Sequence, residues 1–118
     1  MKISKFEALK ILSKHLLKKF IKDPSIKVDT SLVATSLSIM LNVHIPKLKQ
    51  AGIIDNDDRV DVSVLEKELI KIFNVSPILN LPLGNATISI TKADALAFID
   101  ELDRNSEIDK VIVLPYHN

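Results

Sequence analysis

A chain of 118 residues with 47% hydrophobic residues and a net charge of +1 is long enough for one packed domain and too apolar for a disordered one. It has no cysteine, which excludes disulfides, thiol nucleophiles and cysteine-based zinc sites and suits a reducing compartment, so a cytoplasmic location is expected. The N-terminus, MKISKFEALK, lacks the apolar core of a secretory signal, and no run approaches the roughly 18 apolar residues of a membrane span.

The small net charge conceals a split. Residues 1–54 carry ten lysines against Glu7, Asp23 and Asp29, a balance of +7, whereas residues 55–118 carry six basic and twelve acidic residues, a balance of −6. Such a split points to an anionic partner for the first half or to self-complementary association. The plainer reading is two solvated faces that differ.

The first expected element is a helix opened by the capping-box pattern Ser4-Lys5-Phe6-Glu7 and running to about Lys22, before Asp23-Pro24. Phe6, Leu9, Leu12, Leu16, Leu17 and Phe20 share one broad face, and Lys10, Lys14, Lys18 and Lys22 form a stripe on another. Ile11 and Ile21 fall outside the apolar arc, which points to cover on more than one side. Ile26–Val28 reads as a short extended piece.

From Thr30 to Pro46 there is no charged residue. Val33, Leu37, Met40 and Leu41 recur at helical spacing, with Ser31, Thr35, Ser38 and Asn42 on the other side. This predicts a helix over 31–42 that is buried or half-buried all round. Pro46 opens a short new helix through Gln50, and Gly52 stands where a C-terminal cap belongs. Asp55–Asp58 is a polar turn and the expected joint between two subdomains. Val60 and Val62 suggest a brief strand. Ser63-Val64-Leu65-Glu66 repeats the capping-box pattern and predicts a helix to Phe73, with Leu65, Leu69, Ile72 and Phe73 inside.

Residues 79–90 predict a hairpin with Gly84-Asn85 as its two-residue loop. Leu83 then faces Ala86, Leu81 faces Ile88 and Leu79 faces Ile90, all on one face, with Asn80, Pro82, Thr87 and Ser89 on the other. Thr91 caps a helix with Asp94 at its third position and Ala95, Leu96, Phe98, Ile99 and Leu102 on its inner side. Val111, Ile112, Val113 and Leu114 form a continuous apolar run, the pattern of a strand buried on both faces. Because Pro82 places the first hairpin strand at an edge, the second is expected to pair in parallel with this terminal strand through a right-handed crossover.

The expected fold is therefore α+β: a helical N-terminal half, then a helix and a small mixed sheet built as hairpin, helix and strand. It is read as one domain, 1–118, with a basic subdomain at 1–54 and an acidic one at 60–118.

Three candidate sites are weighed and set aside. A phosphate loop needs several glycines directly before a helix, whereas Gly84 is alone, a strand intervenes, and Asp94 would repel phosphate. Counting an EF-hand loop from Asp55 puts Asp57, Asp61 and Glu66 at ligand positions, but Arg59 and Val60 stand where an oxygen ligand and glycine are needed. His15, His44 and His117 lack metal-site spacing, and His44 reads as a hydrogen-bonded core residue. Asp100, Glu101 and Asp103 read as a solvated carboxylate face. No catalytic residue, cofactor or metal is expected. A membrane-surface role for the first helix is also set aside, because its apolar face is needed for the core and it has no tryptophan.

The phrase HIPKLKQAGII, residues 44–54, resembles the end of a recognition helix in winged helix-turn-helix proteins, where a basic helix ends in Ala-Gly before an apolar pair. The resemblance covers eleven residues and departs from the family at Pro46, which leaves only Ile45 to Ala51 for the helix. It implies phosphate contacts by lysine, and the chain has no arginine before Arg59 to read guanine.

Two functional readings follow. The first is a non-enzymatic interaction or assembly module that self-associates as a homo-oligomer, with Val111–Leu114 as a candidate assembly surface. The alternative is a nucleic-acid-binding protein that sets Lys10, Lys14, Lys18, Lys22, Lys47 and Lys49 on phosphates. Neither involves a membrane.

Overall fold

The computed structural model describes residues 1–23, 25–83 and 85–106. It is an α+β fold with five helices and two antiparallel sheets of two strands each among those residues. The terminal strand expected at Val111–Leu114, its parallel pairing, His117 and the conformation of Gly84 lie outside the described residues.

The chain opens with a strand that the sequence did not signal, β1 (Lys2–Ser4). Ser4 ends this strand and caps α1 (Lys5–Phe20), its hydroxyl accepting the Glu7 N–H at 3.2 Å. β1 lies antiparallel to β2 (Arg59–Asp61), with Ile3 opposite Val60. Backbone bonds extend the junction at both ends: Lys5 N–H donates to the Asp58 carbonyl and Val62 N–H to the Met1 carbonyl, each at 3.0 Å. Ile3 and Val60 enter a core completed by Ala8, Ile53, Ile54, Val62, Ile99 and Leu102, so basic and acidic halves share one hydrophobic cluster.

Asp29 caps α2 (Thr30–Leu41) through the Ser31 N–H at 2.9 Å. A 3₁₀ turn, Asn42–His44, leads into α3 (Ile45–Gln50), with Pro46 in its first turn as expected. Gly52 follows with φ of +80°. Its N–H donates to the Lys49 carbonyl, and the Ile53 N–H reaches back to Leu48 at 2.9 Å. These paired bonds form a Schellman end, which satisfies carbonyls that a helix terminus otherwise leaves open.

The next helix, α4 (Val62–Val75), starts two residues earlier than expected. Its cap is Asp61, which accepts the Val64 N–H, not Ser63. The short strand before it leaves Asp61 in extended backbone at the helix mouth, where a carboxylate also meets the helix dipole favourably. β3 (Ile78–Leu83) and β4 (Ala86–Thr91) pair in the expected register, Leu79 with Ile90, Leu81 with Ile88 and Leu83 with Ala86. Ile88 is buried on one face, while Ser89 and Asn80 hydrogen-bond across the other. Thr91 and Asp94 form a reciprocal capping box at the start of α5 (Lys92–Arg104).

α1 packs against α2, α5 and the hairpin strand β4, so it is covered on more than one side. Ion pairs from Lys14 to Glu101 and from Lys19 to Asp94 show that α1 and α5 run antiparallel. The expected inner face of α1 is only partly inside: Leu9 is buried with Ala8 and Ser13, but Phe6 and Phe20 are exposed.

The expectation that α2 is buried all round is overturned. Only Ala34 is buried there. Large apolar residues cover more than half of the helix circumference, so composition does not mark its inner side. Small residues do: Ala34 on α2 is fully buried, and the helix that α2 packs against is α1.

Gly52 provides a test of the α3 terminus. A side chain there has room, since the nearest atom to an added Cβ is Val64 Cγ1 at 4.0 Å, so the cost comes from the backbone alone. Gly52→Val is expected to lower stability by about 1–2 kcal/mol, read as a reduced urea midpoint with unchanged slope. An unaltered midpoint would refute the left-handed cap.

Candidate functional site

Part of the charge split of the sequence is answered within the molecule. Lys2 binds Asp55 at 2.8 Å, Lys14 and His15 both bind Glu101, Lys19 binds Asp94 at 2.8 Å, and Lys49 lies 3.7 Å from Asp58. Each pair joins a basic residue before position 54 to a carboxylate after it.

Glu101 is the most covered of these acids, its side chain 15% exposed. It was expected to belong to a solvated face with Asp100 and Asp103. The antiparallel packing of α1 on α5 instead turns it toward Lys14 and His15. The His15 Nε2 lies 2.8 Å from its Oε1, and the imidazole meets Phe98 edge-on with centroids 6.0 Å apart. Burial pushes the Glu101 carboxyl up, but the hydrogen bonds from Lys14 and His15 outweigh it and hold the group below its ordinary value. Asp94 follows the same pattern, with burial outweighed by Lys19 and Thr91.

Asp55 organises the turn before β2. One carboxyl oxygen accepts the N–H groups of Asp57 and Arg59 at 2.8 and 3.0 Å, and the other takes Lys2. Its carboxyl is lowered to about 2, chiefly by the Lys2 hydrogen bond and then by the Arg59 N–H. Asp58 completes the turn with φ of +57°. The residues once counted as an EF-hand thus serve the backbone: Asp55 closes the turn and Asp61 caps α4. No group of three metal-ligating side chains converges among the described residues.

The six lysines singled out for phosphate contact do not form one open stripe. Lys10 lies 3.4 Å from Glu7 and over the Phe6 ring, Lys14 is held by Glu101, and Lys49 faces Asp58. Lys18, Lys22 and Lys47 are exposed and have no ion-pair partner among the described residues. Lys18 lines a shallow cleft with Ile21, Asp23 and Val28. Lys47 belongs to α3, whose six residues are too few for the three turns of a recognition helix. His44, expected in the core, is exposed at the end of the 3₁₀ turn, because α2 stands at the surface and carries the turn with it.

Two apolar cavities, of about 150 and about 310 Å³, share Leu12, Leu65 and Phe98 in their walls. The larger also touches Lys19, Asp94 and His15, but each of these is already bound, Lys19 to Asp94 and His15 to Glu101. No uncommitted acid–base pair stands there.

The feature that sequence reasoning missed is the outer face of α2. Leu32, Ile39 and Met40, with Val43 just beyond, are 68, 72, 64 and 75% exposed. At 100° per residue they lie on one side of the helix around Ser36, opposite Ala34. The signal available in the sequence was the pair Leu32 and Ile39, seven residues apart and left outside both assigned faces. Comparison with family models, with curated proteins and with solved structures gives no match.

The depressed carboxyls set an acid limit. A group whose folded value lies below its unfolded one stabilises the protein above the unfolded value, about 3.9 for Asp, and loses that contribution as pH falls through the folded value. The urea midpoint is therefore expected to fall from about pH 4 toward pH 2. Asp55→Asn should flatten the fall, and an equally steep fall in that variant would show that the turn is not responsible. At neutral pH, Glu101→Gln is expected to cost about 1 kcal/mol by weakening two bonds between α1 and α5.

Proposed function

We propose that this protein is a non-enzymatic interaction or assembly module that associates with itself. The observation that carries the reading is the balance of apolar side chains. Among the described residues, fourteen large hydrophobic residues are exposed, against thirteen buried hydrophobic residues in the core. Scattered exposed leucines need no explanation, but grouped ones mark surfaces that another molecule covers. The ion pairs between the two halves support the same reading, because they commit Lys2, Lys14, Lys19 and Lys49 inside one copy.

Sedimentation equilibrium over a wide concentration range tests it. A mass that rises with concentration is expected. A monomer at every concentration up to millimolar would overturn the self-association.

The alternative, phosphate binding by the lysine face, draws support from Lys18, Lys22 and Lys47, which have no ion-pair partner among the described residues. It requires duplex DNA binding whose logarithm falls with log salt by about 0.9 per phosphate neutralised. Replacing these three lysines by Gln should then flatten the slope. A chain that is not retained by DNA at low salt would end this reading.

A further inference from the structure

We infer that the outer face of α2 packs against the same face of a second copy, antiparallel, across a two-fold axis at Ser36. This inference rests on the self-association proposed above and names its surface.

Charge gives the first argument. In a two-fold contact each residue meets its own symmetry equivalent or a fixed partner, so a charged face would be set against like charge. The chain has no charged residue between Thr30 and Pro46, which makes α2 the helix that avoids this repulsion. The first charges beyond the neutral stretch are Asp29 at one end and Lys47 at the other. Antiparallel packing keeps the Asp29 residues of the two copies apart, at opposite rims of the contact. It also opposes the helix dipoles head to tail. Parallel packing would set like beside like.

Shape gives the second. Position 36 lies midway between Leu32 and Met40, so an axis at Ser36 brings Leu32 of one copy onto Met40 of the other, twice. The same axis sets Ile39 of one copy opposite Val33 of the other, and Val43 opposite Asp29 at each rim. Ser36 is small and exposed, which lets the two helices approach closely at the axis.

Area gives the third. The four apolar side chains expose on the order of 500 Å² per copy, so two copies bring together about 1,000 Å², the lower bound for a specific interface. A second patch, Ile72 and Val75 near the end of α4 with Ile78 at the start of β3, is also exposed, but Lys71, Asn74 and Lys92 lie close by. Two copies joined there would bring their own lysines together.

The absence of cysteine from the chain makes a direct test available. Ser36→Cys, the sole thiol, is expected to give a disulfide-linked dimer under mild oxidation, because Cα atoms about 4.4–6.8 Å apart across the axis permit the bond. Ala97→Cys, on the exposed side of α5, is expected to stay monomeric on a denaturing gel. Ile39→Asp should weaken dimerisation about tenfold or more while leaving the circular dichroism spectrum unchanged, since the side chain stands in solvent in the single copy. A concentration-dependent dimer that Ser36→Cys does not trap and Ile39→Asp does not weaken overturns this interface and leaves self-association standing through another surface. A wild-type protein that never exceeds monomer mass overturns both.

Discussion

The antiparallel contact of Ile3 with Val60 is the constraint from which the rest of the arrangement follows. It joins residues 57 positions apart in a short ladder. Two three-residue strands have little stability of their own, so the contact depends on what surrounds it. Lys5 and Val62 extend the ladder into the first turns of α1 and α4, and Asp55 fixes the turn that presents β2. Once β1 is held there, α1 and α4 start from opposite ends of the same small ladder. α5 then closes on both, with Ile99 and Leu102 in the core that Ile3 and Val60 begin.

That geometry pairs part of the charge. Two helices leaving one sheet with a third running back antiparallel bring lysines of α1 opposite carboxylates of α5. Surface ion pairs of this kind contribute little each, about 0–1 kcal/mol, so they do not drive the fold. Their effect is on register and on surface character. Lys14, His15 and Lys19 can meet Glu101 and Asp94 in only one sliding position of α1 along α5, and in that position much of the basic face is neutralised.

The legible parts of this fold were those with a local physical signature. The hairpin register followed from strict alternation in residues 79–90, and the Thr91–Asp94 capping box, Pro46 and Gly52 each carry their chemistry in a few adjacent residues. β1 was not legible, because three residues before a helix cap show no alternation and the partner lies far along the chain. Asp61 was passed over as a cap in favour of Ser63, since both residue types cap well and only the end of β2 decides between them. Glu101 could not be placed from sequence, as its role depends on which helix packs across it. The terminal run Val111–Leu114 was distinct in the sequence and lies outside the described residues.

α2 is the element for which composition and position disagree, and the disagreement has a physical reading. A helix with leucine, isoleucine, methionine and valine around more than half of its circumference has high mean hydropathy but a weak preference for which side faces inward. The inner side is then set by fit: Ala34 is fully buried where α2 meets α1, while Leu32, Ile39 and Met40 stay outside. A solvent-facing helix side selected only for folding would carry Lys or Glu at such positions, which are better helix formers than Ile and keep the surface soluble. Instead the outer positions hold Leu32, Ser36, Ile39 and Met40 in a chain otherwise 26% charged. Their absence of charge contributes nothing to the core and carries an aggregation liability in a lone molecule. Cover by a matching surface would remove that liability, which is the physical ground for the contact proposed between two copies.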